Sequence, residues 1–201
     1  SQIALVGHSH LMLGIDKIEL EKKIGIKNIA KYTREGVNVL DRYQMIRQLI
    51  DNNPNLSTVI YGVDAWTFTG EGLSENSHKL FYPFMDKKNI YDYIKKNDKY
   101  VDFLHKKIIK SSRYNEQLIS SSMRGFLGNW KNLKRGIIDT SRLNIEIKQN
   151  TYRKINNNKE LINIFSKTLS LLEKKEIDVI LVYIPTFNKL TDVQNESFSN
   201  T

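Results

Sequence analysis

The sequence predicts an α/β fold built on a parallel sheet, and three observations carry that prediction. Short apolar runs alternate with amphipathic stretches of helical spacing. Most of the runs end in Gly or Pro. The runs are apolar at nearly every position, not at every second one, as expected of strands covered by helices on both faces.

Ile3-Ala4-Leu5-Val6, ended by Gly7, reads as the first buried strand. Gly14-Ile15-Asp16 opens a helical stretch in which Ile18 and Leu20 are apolar and Lys and Glu fill the gaps. Ile29 to Tyr32 fits a second strand. Val37 to Ile50 is amphipathic, with Val37, Leu40, Met45, Ile46, Leu49 and Ile50 mostly at helical spacing. Asn52-Asn53-Pro54-Asn55 stops that helix, because Pro disfavours helical backbone in the residue before it. Thr58-Val59-Ile60-Tyr61, rich in β-branched residues and ended by Gly62, is the third strand. Leu161, Ile164, Phe165, Leu169 and Leu172 mark a further helix, and Ile177 to Ile184 is the fourth strand, with Pro185 just beyond. Repeated βαβ units of this kind give a three-layer, flavodoxin-like sheet of expected order 2-1-3-4.

Residues 66–158 break the rhythm. Ile90, Tyr91, Tyr93, Ile94, Val101, Leu104, Ile108, Ile109, Leu118 and Ile119 fall at helical spacings, interrupted near Asn97-Asp98 and Gly125 to Gly128. This reads as a helical insertion between strands 3 and 4, leaving the sheet beside the crevice where open α/β sheets bind ligands. It would serve as a lid or docking surface. The aromatics Phe81, Tyr82, Phe84, Tyr91, Tyr93, Tyr100 and Phe103 are read as its packing core, with an acyl or sugar lining as the other option. Trp66 is better placed to touch a substrate, and Trp130 to pack the insertion onto the sheet. The polar tail 188–201 is expected to fray, and the chain 1–201 to be a single domain.

With 201 residues, 40% hydrophobic and 26% charged, the chain can bury an ordinary core and is not a disordered type. Cys is absent, which removes disulfides, Cys-based zinc sites and thiol nucleophiles. The net charge is +9, and residues 83–160 hold 18 Lys and Arg against 8 Asp and Glu, so this segment carries the whole surplus. It is either a solvated helical face or a surface for an anionic polymer or membrane headgroups. Nucleic acid is not expected, since Lys outnumbers Arg and no nucleic-acid motif occurs. Ser1 leads straight into the first strand, so no signal peptide is read. An excised domain with an anchor further upstream is expected.

Gly7-His8-Ser9-His10 follows the first strand, where a small nucleophile would stand at the carboxyl edge of the sheet. Ser9 could equally be only the N-cap of the next helix. Gly36 follows the second strand and Gly62-Val63-Asp64 the third, so Ser9, Gly36 and Asp64 should share one crevice. Asp64 also fits a helix cap. His8 and His10, two apart on an extended turn, could chelate a metal with Asp64 and His78. Two histidines at that spacing are more often not ligands, and no metal or other cofactor is assigned.

Taken in order, these blocks resemble the SGNH, or GDSL, hydrolases, and in style their extracytoplasmic cell-envelope acyl-transfer branch. Gly7-His8-Ser9 is similar to the family's Gly-Asp-Ser block, Gly36 to its second block, and Gly62-Val63-Asp64 to its Gly-x-Asn-Asp block. The resemblance covers about 1–65 and the strand at 177–185. It implies a serine esterase or acyltransferase with Ser9 as nucleophile, an oxyanion hole from Ser9, Gly36 and Asp64, and accessory roles for His8, His10, His78 and Trp66. It further implies an acylated small molecule or envelope polymer as partner, an extracytoplasmic, membrane-anchored setting with a cytoplasmic one as the alternative, and a fifth strand followed by Asp-x-x-His. Three departures stand out. His8 replaces the family's Asp, Asp64 cannot donate a hydrogen bond while ionised, and the last His is His105. A non-catalytic binding or assembly module of the same fold is the alternative implied by the missing His.

Overall fold

Alternate residues of the central strands face opposite ways, and that alternation builds the layers. In the computed structural model the described residues are 2–64, 66–69, 76–127, 140–141, 144–145 and 157–184. Strands β1 (Ile3–Gly7), β2 (Ala30–Thr33), β3 (Thr58–Val63) and β4 (Asp178–Tyr183) form one parallel sheet in the order β2-β1-β3-β4. This is the expected order, and helices cover both faces.

On one face, Ala4 and Val6 of β1 and Val59 and Tyr61 of β3 pack against α3 (Val39–Asn52) and α7 (Lys159–Glu173) through Ile46, Leu49 and Leu172. On the other, Leu5 and Ile60 meet Leu11 of α1 (Ser9–Gly14) and Leu20 of α2 (Lys17–Ile24). The first face holds the larger core. The second is thinner, and α2 buries no residue fully. Lys31 of β2 secures the end of α1, donating from Nζ to the carbonyls of Met12 at 2.8 Å and Ile15 at 2.9 Å. Those are carbonyls that a helix end leaves without intrahelical partners. Burial lowers the pKa of this ammonium.

The register Gly7↔Thr33 and Val6↔Tyr61 brings the carboxyl ends of β2, β1 and β3 to one edge. The amide of Arg34 donates to the carbonyl of Gly7 at 3.2 Å and ties the loop after β2 to that edge. Strand β4 is more open, with Ile180, Leu181 and Tyr183 each about half exposed.

The insertion is mainly helical over residues 77–126. A 3-10 helix (Ser77–Phe84) leads to α4 (Lys88–Asn97), α5 (Tyr100–Ile108), a second 3-10 turn (Lys110–Arg113) and α6 (Glu116–Phe126). Phe81, Tyr82, Met85, Ile90, Tyr93, Ile94 and Phe103 form its own core, which docks on α3 through Leu40 and Met45. Most of the aromatics are therefore packing residues, as expected, while Phe84 and Tyr100 lie exposed. The same contact carries a polar anchor. Tyr93 donates from its hydroxyl to Asp41 Oδ1 at 2.5 Å. Asp41 Oδ2 also accepts from the Asn38 amide, and the Asn38 side chain accepts from the Asp41 amide, completing the capping box of α3. The readings for Trp130, the tail 188–201 and a further strand fall outside the described residues. Among the described residues, no helix is long and apolar enough to cross a membrane.

Candidate active site

The chain leaves β1 at Gly7 and turns at once into α1. His8 is extended, with φ −95° and ψ −160°, and it is the N-cap of the helix: its Nδ1 accepts from the His10 amide at 3.2 Å. Ser, Thr, Asp or Asn ordinarily takes that role, at about 1 kcal/mol. Here an imidazole does, and Ser9 becomes the first helical residue instead of the cap. Ser9 is half-buried, and the side-chain cap of the helix is supplied by His8 and not by the Ser9 hydroxyl.

Three side chains converge beside it. His8 Nε2 is in close contact with Asp64 Oδ2, and His10 Nδ1 lies 3.0 Å from the same oxygen. The two rings stand edge to face, 4.7 Å apart. Asp64 follows β3 directly, and a local turn holds it. Its Oδ1 accepts from the Trp66 amide and from the Thr67 hydroxyl, both at 3.0 Å, and its own amide donates to Thr67 Oγ1 at 2.9 Å. One carboxylate oxygen is thus fixed by the turn and the other is offered to the two imidazoles. Burial acts to raise the Asp64 pKa, but the close approach of His10, His8 and Thr67 outweighs it and holds the carboxyl well below the usual range. The contacts at Oδ2 are near but poorly aligned. Neither that oxygen nor His10 Nδ1 has a hydrogen bond of normal geometry among the described residues.

Glycine makes this crowding feasible. A Cβ on Gly7 would lie 2.8 Å from both Cβ and Cδ2 of Leu11, and one on Gly62 would lie 2.9 Å from Leu11 Cβ. Leu11 therefore sits down between the ends of β1 and β3, and α1 follows it. The two glycines serve close approach more than turn geometry.

The remaining expected site residues are placed as follows. Gly36 lies in the loop after β2 with φ +72°, a left-handed conformation that favours glycine, at the sheet edge that carries Ser9. Trp66 is half-buried and its amide serves Asp64. His78 does not join the crevice cluster. It packs inside the insertion, 3.5 Å from Asp98 and edge-on to Tyr82. His105 is exposed on α5. Asp64 is a poor oxyanion donor, because its carboxyl is anionic and its amide is committed to Thr67; it partners the imidazoles instead. Thr67 was not among the expected residues. The Asp-x-x-Thr spacing of a side-chain-closed turn is the signal that marks it.

No family model, curated protein or solved structure matches this chain.

Proposed function

We propose that this is a serine esterase or acyltransferase of SGNH type with Ser9 as its nucleophile. One observation carries the reading. The Ser9 hydroxyl stands at the carboxyl edge of the central strand pair and is not spent on capping, because His8 has taken that role. In this reading a histidine base takes the Ser9 Oγ proton as the oxygen attacks an acyl carbonyl, and the backbone amides of Ser9 and Gly36 receive the oxyanion. Collapse expels the alcohol with that proton, and water or an acceptor hydroxyl then takes the acyl group and frees Ser9. Asp64 holds His8 and His10 beside the reacting hydroxyl. The substrate class is an acylated cell-envelope glycan or anionic polymer, which the positive charge of 83–160 would attract. Part of that charge is already paired within the protein, Lys96 with Glu160 and Lys110 and Arg113 with Asp86.

A binding or assembly module of the same fold is the second reading. It is favoured by the engagement of the nearby imidazoles, since His8 caps α1 and both His8 and His10 face Asp64.

Hydrolysis of short-chain p-nitrophenyl esters and labelling by a fluorophosphonate probe separate the two readings. Ser9→Ala is expected to lower kcat/KM at least about a thousandfold and to abolish labelling. Equal turnover in both proteins would remove Ser9 from the mechanism. Absence of turnover and labelling in the parent protein would favour the binding module.

A further inference from the structure

We propose that His8, His10 and Asp64 form a binding site for a divalent transition-metal ion of the zinc type. The inference goes beyond the esterase reading and does not need it.

The donor atoms come first. One nitrogen from each imidazole and one carboxylate oxygen lie within 4.8 Å of one another. The side chain of Asp64 is 2% exposed, yet among the described residues its Oδ2 has no hydrogen bond of normal geometry, and the buried His10 Nδ1 has none either. Buried polar atoms are nearly always paired, so two orphans facing each other need an explanation. If the imidazoles served only as hydrogen-bond donors, their N–H groups would point along the line to the oxygen. Ligands of a metal behave differently, since their lone pairs point at a common centre and not at one another. Close but misaligned donors fit the second arrangement.

The outer contacts fit as well. Ligating carboxylates are themselves held by hydrogen bonds, and here the Trp66 amide and the Thr67 hydroxyl hold Asp64 Oδ1 while leaving Oδ2 available. The His8 contact has to change on binding. Its Nδ1 accepts from the His10 amide, which places the proton of the neutral ring on Nε2. Coordination through Nε2 moves that proton to Nδ1 and gives up the cap. Losing one side-chain cap is a small cost beside the coordination of a divalent ion by three donors.

The donor set also selects the ion. Two imidazoles and one carboxylate suit zinc, cobalt or nickel, whereas magnesium and calcium take oxygen ligands. Three protein ligands leave a fourth position open, the pattern of catalytic and not structural zinc sites. The side chain of His10 is 37% exposed, so solvent reaches that side of the cluster.

The test uses the whole protein, stripped with a chelator and dialysed. Isothermal titration with zinc chloride is expected to show one ion per chain with Kd at or below about 1 μM. Cobalt chloride is expected to give a visible absorption band of low-symmetry coordination. Added zinc should raise the thermal midpoint, because a ligand that binds only the folded state stabilises it. His10→Ala and Asp64→Asn, each checked for folding by circular dichroism, should weaken zinc binding at least about a hundredfold. His105→Ala should bind as the parent does. Ser9→Ala should also keep its zinc affinity whether or not esterase activity is found, so failure of either proposal is visible separately. Absence of saturable binding in the parent protein, or unchanged affinity in folded His10→Ala, would overturn the site and leave a purely hydrogen-bonded cluster.

Discussion

Gly7→Val is expected to lower the stability of the protein by about 3 kcal/mol, and to displace Ser9 as it does so. The added Cβ would arrive 2.8 Å from Leu11 Cβ, an atom that cannot move without moving the helix backbone. Helix α1 is only six residues long and buries Leu11 alone, so beyond the Lys31 contacts at its end little resists its being pushed outward. Urea unfolding followed by circular dichroism measures the loss. The double variant Gly7→Val with Leu11→Ala tests its origin. Leu11→Ala alone should cost about 2–5 kcal/mol through the cavity it leaves. In the double variant the new side chain occupies part of that cavity, so the combined loss should fall short of the sum by about 1 kcal/mol or more. Strict additivity would place the clash at Leu11 Cβ, which alanine keeps, and not at Cδ2.

Asp41→Ala should be comparably destabilising, for a different reason. The substitution removes the carboxylate that accepts from the Asn38 amide, and it strands the hydroxyl of Tyr93. Losing the cap contact costs about 1 kcal/mol and leaving a buried hydroxyl unpaired about 1–3 kcal/mol, so a total near 3 kcal/mol is expected. Tyr93→Phe should cost less, and the double variant should cost less than the sum. The pair also sets a pH dependence. Burial, reinforced by the charge and hydrogen bond of Asp41, pushes the Tyr93 phenol well above its ordinary value. Its folded pKa is raised, so the contribution is fully present below the unfolded value near 10 and is lost as pH rises above it. Unfolding monitored from pH 9 to 11 should show falling stability, less steeply in Tyr93→Phe. Tyr61 and Tyr82 are shifted in the same direction, by burial first, and will keep part of the slope.

The sheet was legible because its signal is local. Ile3 to Val6 and Val59 to Tyr61 are apolar at successive positions, as suits strands covered on both faces, and Ile177 to Ile184 carries the same signal although β4 is about half exposed. The expected order was that of flavodoxin-like sheets built from βαβ units, and it is the one observed. The first helix was not legible at its start. Ser9 looked like the better cap by composition, but extended backbone at His8 puts an imidazole nitrogen within reach of the His10 amide. That choice of cap decides whether the Ser9 hydroxyl is committed, and nothing in residue type alone reveals it. The nearness of Ser9, His8, His10 and Asp64 was foreseeable from the shared sheet edge. The direction of the imidazoles was not, because it depends on how deeply Leu11 sinks between two strands distant in sequence. His78 went the other way: its place at the start of the insertion suggested a return to the crevice, whereas it packs beside Asp98 and Tyr82 inside the insertion.

The seat of Leu11 has a consequence for how such a sequence can diverge. Positions 7, 11 and 62 share one small volume at the strand ends. Among homologues, bulk gained at 7 or 62 should be matched by bulk surrendered at 11, so the three sites should drift together. Residues 8 to 10, riding on the same helix, would inherit each such exchange as a change in reach toward position 64.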